Sequence, residues 1–305
     1  MILGVDMGGT NTRIGLVNEE MRLAGPCRVV PSRSFAKAPD TMAAFWQLLE
    51  DALDHAGVKT EAVRRISVGV PASVCGDLRT IFCAPNLVDA SGKLVFENYP
   101  FAEELERLCD IPTLVNKDVN NLLCYDIHEN DLKGTVVGCY IGTGVGGAVS
   151  IDGKLLLGRN GVAMDIGHLP LFHSNKRCGC GKRGCAETEI SGSSFLRLFQ
   201  KCYPKENFSE AFSRHGEDPV IEGYVRDCAH VPAILATVFN PSAIVLGGGV
   251  LEMEGFPRRA LEEKILEVTA NAVASNPPRF VYADRLPERG VIGAALFANE
   301  MKEVC

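Results

Sequence analysis

The chain of 305 residues is 46% hydrophobic and 23% charged, with 31 glycines and 16 prolines. At roughly 100–200 residues per domain it can form two domains, and its apolar content excludes a disordered, collagen-like or coiled-coil chain. The net charge of −7, with basic residues scattered, argues against a nucleic-acid partner, whose phosphates demand a basic patch, and points to small molecules.

No apolar run approaches ~20 residues, and Met1 leads directly into Ile2-Leu3-Gly4-Val5 without a basic segment. Neither a signal peptide nor a membrane partner is expected, and a cytoplasmic location is. Residues 2–5 predict a strand, followed by a glycine turn and a second strand over 13–17. Met42, Phe45, Trp46, Leu49 and Leu53 recur at helical spacing and predict a helix over 41–56. Ile66, Val68 and Val70 alternate as a strand that Pro71 ends. A helix over 101–109, a strand over 113–115 and a helix over 119–125 follow.

The pattern then begins again: a strand over 136–141, a glycine turn over 142–147 and a strand over 148–151. A helix within 220–239, a strand over 243–246, a helix within 258–275 and a strand over 280–283 come next, and a last helix starts at 290. Two half-chains that each open with strand, glycine turn and strand imply two related α/β domains. The expected division is 1–120 and 121–290, with the last helix, about 290–305, able to cross back to the first domain. A cleft between two domains is where ligands usually bind.

Three features carry chemistry. The turns Asp6-Met7-Gly8-Gly9-Thr10-Asn11 and Gly142-Thr143-Gly144-Val145-Gly146-Gly147 can each cradle phosphate oxygens on backbone N–H groups, or be ordinary hairpin turns. Their recurrence, once per half, suits a nucleoside triphosphate, with Asp6 able to hold Mg²⁺ through water. A third run, Gly247-Gly248-Gly249, can let a nucleoside pack on bare backbone or simply turn the chain. No Gly-x-x-x-x-Gly-Lys-Ser/Thr and no Gly-x-Ser-x-Gly is present, which removes P-loop proteins and weakens a hydrolase.

Nine of the twelve cysteines lie singly, as buried apolar residues would in a reducing compartment. The other three, Cys178, Cys180 and Cys185, fall in CGCGKRGC with His168 nearby. Three thiolates and an imidazole complete a tetrahedral structural zinc site, and His173 competes for the fourth place. Asp118 opens a helix after a short strand, where it can cap the helix or take a proton from an attacking hydroxyl. Asp165 and Glu187 flank the cysteine loop and can accept hydrogen bonds from sugar hydroxyls or be solvated surface charges.

DMGGTNTRIG, GVPASV, Pro85-Asn86-Leu87, KDVNN, YIGTGVGG, GVAMDIGH, CGCGKRGCAE and NPSAIVLGGG, taken in order, resemble the ROK family of sugar kinases and related repressors over essentially the whole chain. The resemblance implies two actin-like (ribonuclease H-like) α/β kinase domains around a cleft, a zinc-binding loop over 165–190 in the second, ATP with Mg²⁺, and a homodimer. It implies Asp118 as catalytic base. It places Asn86, Lys117, Asp118, Asp165, His168 and Glu187 at the sugar, with Asp6, Gly8, Gly9, Thr10, Asn11, Gly142, Thr143 and Gly144 at the phosphates and Gly247 and Gly248 at the nucleoside. It also selects His168 as fourth zinc ligand beside Cys178, Cys180 and Cys185, one ring nitrogen on the metal and the other toward the sugar.

Two departures bear on the sugar. Family glucokinases carry Asn where Lys117 stands and Glu where Asp165 stands. Within the family the chain is similar to the D-allose kinases, through the basic residue before Asp118, the stretch Asp77-Leu78-Arg79-Thr80-Ile81 and the GGGV-x-x-M-x-x-FPR run from Gly247 to Arg258. The expected reaction is phosphorylation of the 6-hydroxyl of an aldohexose, D-allose first, with glucose or an N-acetylhexosamine as the alternative. A sugar-responsive repressor is the lesser reading, because Asp6 leaves no room ahead of it for a helix-turn-helix module; a silent sugar sensor is another.

Overall fold

The computed structural model describes residues 1–171 and 174–301. His173, and residues 302–305 with Cys305, lie outside the described residues. In chain order the elements are β1 (Ile2–Met7), β2 (Asn11–Val17), β3 (Arg28–Pro31), α1 (Arg33–Ala36), α2 (Thr41–His55), β4 (Arg65–Val70), β5 (Ser73–Val74), β6 (Ile81–Cys83), β7 (Glu97–Tyr99), α3 (Phe101–Cys109), β8 (Thr113–Lys117) and α4 (Asp118–Glu129). There follow β9 (Thr135–Ile141), β10 (Val145–Ile151), β11 (Lys154–Leu155), α5 (Glu187–Ile190), α6 (Gly192–Cys202), α7 (Ala211–His215), α8 (Pro219–Cys228) and α9 (His230–Phe239). The chain continues through β12 (Ala243–Gly247), α10 (Arg258–Val268), α11 (Asn271–Ala274), β13 (Arg279–Tyr282) and α12 (Arg289–Glu300). It divides into two compact units: unit 1 is 1–130, 157–163 and 286–305, and unit 2 is 131–156 and 164–285.

Unit 1 is built on a five-stranded sheet in the order β3-β2-β1-β4-β8. β1 to β3 pair antiparallel, and β4 and β8 continue parallel to β1. β4 is buried along almost its whole length, as expected of a parallel strand covered on both faces. α2 starts where the Asp40 side chain accepts the Ala43 N–H at 3.0 Å, and it buries Met42, Phe45, Leu49 and Leu53. Phe45 meets Phe35 and Phe101 edge-on, with ring centroids 5.1 and 5.5 Å apart. α12 packs on α4 and on the sheet at β1 and β4. That closeness requires glycine: a Cβ on Gly293 would lie 1.9 Å from the Asn121 carbonyl oxygen. A small antiparallel sheet, β5-β6-β7, is attached beyond β4.

Unit 2 repeats the plan in the order β11-β10-β9-β12-β13, with β9 to β11 antiparallel and β12 parallel to both β9 and β13. Its core holds an aromatic stack in which Phe195 lies 4.2 Å from Tyr224 and 4.9 Å from Phe212.

Three sequence expectations need correction. The second glycine turn is shorter than predicted: β10 begins at Val145, with Gly146 and Gly147 paired to Tyr140 and Cys139. A Cβ on Gly147 would strike the Ile166 side chain at 2.5 Å, so this glycine serves packing. The helix predicted within 220–239 is two helices, and Pro232 explains the break. Proline lacks an N–H, and its ring clashes with the carbonyl four residues earlier, that of Cys228. The helix predicted within 258–275 likewise stops at Thr269, which is extended at φ −80° and ψ 149°.

Candidate active site

In unit 1 the candidate residues converge on the carboxyl ends of β1, β4 and β8, where open parallel sheets bind ligands. The Gly8–Asn11 turn is closed by the Gly8 N–H donating to the Asn11 carbonyl at 2.9 Å, and Gly9, Thr10 and Asn11 are exposed. Buried Ser32 holds the turn from beneath. Its hydroxyl donates to the Gly8 carbonyl at 2.6 Å and meets the Thr12 hydroxyl at 2.9 Å, while its N–H donates to the Thr10 carbonyl at 2.9 Å. Asn86 stands beside this loop, its Cβ 3.4 Å from where a Cβ on Gly9 would be.

Asp6, at the end of β1, faces Arg13 at 3.7 Å. Burial pushes its carboxyl above the usual range, and Arg13 and Arg289 offset part of that. Asp118 is the first residue of α4, after the N-cap Lys117, and its Oδ1 accepts the Val119 N–H at 2.8 Å, so it satisfies a first-turn N–H without being the cap. Burial, and next the like charge of Asp6, push the Asp118 carboxyl up to about 7, while the Val119 N–H and Lys117 pull it down. A carboxyl poised there can gain or lose a proton at neutral pH.

A buried amide network supports this corner. Asn116 accepts the Lys117 N–H at 2.9 Å and the Asn120 amide at 2.8 Å, and donates to Asn121 at 3.0 Å. Lys117 is 8% exposed, and its ammonium donates to the Ala163 carbonyl at 3.4 Å.

In unit 2 the turn at Gly142-Thr143-Gly144 is pinned by the start of α6. The Gly192 N–H donates to the Gly142 carbonyl at 2.7 Å, and the Ser193 hydroxyl to the Thr143 carbonyl at 2.8 Å. Glu187 lies against the turn, with Oε2 3.4 Å from where a Cβ on Gly144 would be. Its other oxygen accepts from the Cys178 thiol at 2.8 Å and lies 3.6 Å from His168 Nδ1. His168 Nε2 faces Asp165 at 4.0 Å. Asp165, His168, Glu187 and the second glycine turn are thus brought together within this unit.

His168, Cys178, Cys180 and Cys185 place their ligand atoms within 4.8 Å of one another. A tetrahedral zinc ion with ordinary bond lengths would set sulfur atoms ~3.8 Å apart and nitrogen from sulfur ~3.6 Å. Cys180 and Cys185 Sγ are 3.7 Å apart, and His168 Nδ1 and Cys178 Sγ are 3.5 Å apart. The donor set fits zinc in kind and these two spacings match it; His168 Nδ1 would be the ligating nitrogen, with Nε2 left to face Asp165.

The third glycine run divides by role. Gly247 ends β12 against Ala283 and Tyr140, and Gly248, at φ +96°, abuts the Ile141 backbone. Gly249 is exposed with open space where a Cβ would stand, so it is the member of the run most open to a ligand. The sequence pointed to it only as the third member of the run, and carried no sign of Ser32, Ser193 or Asn116. Isolated Ser and Asn residues carry no spacing signal; only the turns they brace do.

The ROK family profile matches residues 2–301. The chain is 29% identical to the N-acetyl-D-glucosamine kinase of Pectobacterium carotovorum subsp. carotovorum (strain PC1), over 97% of this chain and 98% of that one. It is also 29% identical to the N-acetylgalactosamine kinase AgaK of Shewanella sp. (strain ANA-3), over 98% and 97%. The crystal structure of the ROK hexokinase from Thermus thermophilus superposes with a TM-score of 0.79 at 26% identity, covering 99% of both chains. Each unit therefore has the actin-like, ribonuclease H-like α/β plan expected of a sugar kinase, and the chain belongs to the ROK family.

Proposed function

We propose that the protein transfers the γ-phosphoryl group of ATP to the primary (6-) hydroxyl of an aldohexose, and that D-allose is its sugar. The observation that carries the phosphotransfer reading is Asp118: a carboxyl at the strand-to-helix corner beside a glycine loop, held close to neutrality by burial and by Asp6. In this reading the Asp118 carboxylate accepts the proton of the attacking hydroxyl. The exposed amides of Gly9 and Thr10, and those of Thr143 and Gly144, receive phosphate oxygens. Mg²⁺, when bound, neutralises phosphate charge, and Asp6 is the residue that would hold it through water.

Asn86, Asp165, His168 and Glu187 would orient the sugar hydroxyls. Zinc on His168, Cys178, Cys180 and Cys185 would fix the imidazole and the Glu187 segment, as an outer shell fixes a ligand. A cytoplasmic homodimer belongs to the same reading. Among the described residues no helix is long and apolar enough to cross a membrane.

The choice of D-allose rests on the basic Lys117 before Asp118 and on the Asp77 to Ile81 and Gly247 to Arg258 stretches, while Asp165 departs from the allose kinases as it does from the glucokinases. A second reading, an N-acetylhexosamine, is favoured by the activities of the two 29%-identical relatives. The readings separate in one experiment: ATP-dependent ADP release over allose, glucose, N-acetylglucosamine and N-acetylgalactosamine, ranked by kcat/KM. Allose at the top supports the first, an N-acetylated sugar replaces it with the second, and turnover of none removes both.

A further inference from the structure

Residues 157–163 belong to unit 1, although the residues before and after them belong to unit 2. They close on themselves: the Ala163 N–H donates to the Leu157 carbonyl at 3.1 Å, and Gly158 and Gly161 take φ of +73° and +74°. The closed loop sits against residues 74–76. A Cβ on Gly161 would lie 1.9 Å from the Val74 carbonyl oxygen, so nothing larger than hydrogen fits there.

The second attachment is charged. The Lys117 ammonium, on a residue 8% exposed, donates to the Ala163 carbonyl at 3.4 Å. An ammonium this far from bulk water is stable where fixed acceptors replace its hydration. Ala163 is followed by Met164, whose φ of +62° is uncommon for a residue with a Cβ, and then by Asp165.

We propose that Lys117 is a positioning residue: its ammonium latches the 157–163 loop at the Ala163 carbonyl and thereby sets the start of the segment that carries Asp165 and His168. The catalytic consequence rests on the sugar-kinase reading; the structural one rests on these contacts. Methionine keeps the volume of the lysine stem and removes the donor; it also removes the charge that lowers the Asp118 carboxyl, so the kinetics are compared at about pH 9, where Asp118 is ionised in every variant. Gly161→Ala disturbs the same loop at its other attachment.

The test pairs hydrogen exchange of peptides covering 157–163 with steady-state kinetics. It uses the full chain and the Lys117→Met, Lys117→Arg, Gly161→Ala and Lys117→Met/Gly161→Ala proteins. Lys117→Met is expected to speed exchange at the Ala163 amide about tenfold, because a local opening no longer breaks a charged hydrogen bond. The sugar KM should rise about tenfold, with the ATP KM unchanged and kcat changed less than about threefold. Lys117→Arg, which still donates, should restore part of the sugar KM. Gly161→Ala should act in the same direction, and the double variant should fall well short of the product of the single effects, as perturbations of one loop do.

Unchanged exchange in Lys117→Met overturns the proposal. So does a raised sugar KM with unchanged exchange and effects that multiply with Gly161→Ala, which would put the ammonium on the sugar itself. A loss confined to kcat overturns it as well. Should Lys117→Met fail to fold, Lys117→Arg and Gly161→Ala carry the same comparison. If the unaltered protein phosphorylates no sugar, the kinase reading falls while the exchange result still decides the latch.

Discussion

Asp118→Asn should make the protein more stable at alkaline pH while removing its activity. In the folded chain the Asp118 carboxyl is raised from 3.8 to about 7, so folding favours its protonated form. Between those two values the folded state binds more protons than the unfolded state, and stability falls as pH rises. Below the lower value both states are protonated and the residue contributes nothing. A shift of about three units corresponds to a ceiling of ~4 kcal/mol above pH 7. Asp118 is partly accessible, and solvent screens part of that, so a gain of roughly 2 kcal/mol for the asparagine protein is the working figure.

Asparagine retains an oxygen for the Val119 N–H, so the helix start should survive. Calorimetry at about pH 8.5 should show the variant melting roughly 3 °C higher, with the difference shrinking toward about pH 5. Its kcat should fall by about 10²–10⁴ or more. Equal or lower melting temperature at both pH values would show that Asp118 carries no desolvation strain, and retained activity would remove it as the base.

The same shift predicts an acid limb in kcat/KM for the sugar with an apparent value of about 7, activity rising as Asp118 ionises; a profile flat from pH 6 to 8 would contradict it. Metal analysis should find about one zinc ion per chain, and Cys180→Ser should lower both zinc content and melting temperature by several degrees; full stability without metal would show the cluster to be four unligated side chains. Ser32→Ala removes the hydroxyl bonded to the Gly8 carbonyl and to Thr12, and should raise the ATP KM about tenfold with the sugar KM little changed; equal effects on both would point to general loosening of unit 1.

What the sequence made legible follows from which features have a period. α2 was readable from five apolar residues at helical spacing, and β4 from strict alternation closed by Pro71. The two glycine turns were readable because they recur in corresponding places. The elements that escaped are short: β5 has two residues and β11 two, too few to show alternation. α6, although longer, was also unanticipated. The α8–α9 break was written in Pro232, but the apolar run around it reads continuously.

For the site, Asp118, Asp165, His168 and Glu187 were reached mainly through the family resemblance, because an acidic residue near a turn is most often a solvated charge. What no pattern could supply was contact across long separations. Lys117 reaches Ala163 across 46 positions and Ser193 reaches Thr143 across 50, and neither pair shares a motif.

Phosphate transfer from ATP to a sugar hydroxyl through Asp118 is tested most directly by turnover itself. ATP-dependent ADP release should be measured over aldohexoses, N-acetylhexosamines and ketohexoses, with the Asp118→Asn protein in parallel. Turnover dominated by one aldohexose, allose foremost, and lost with the asparagine protein, is the predicted result; turnover of no sugar, or equal turnover by both proteins, would contradict the account.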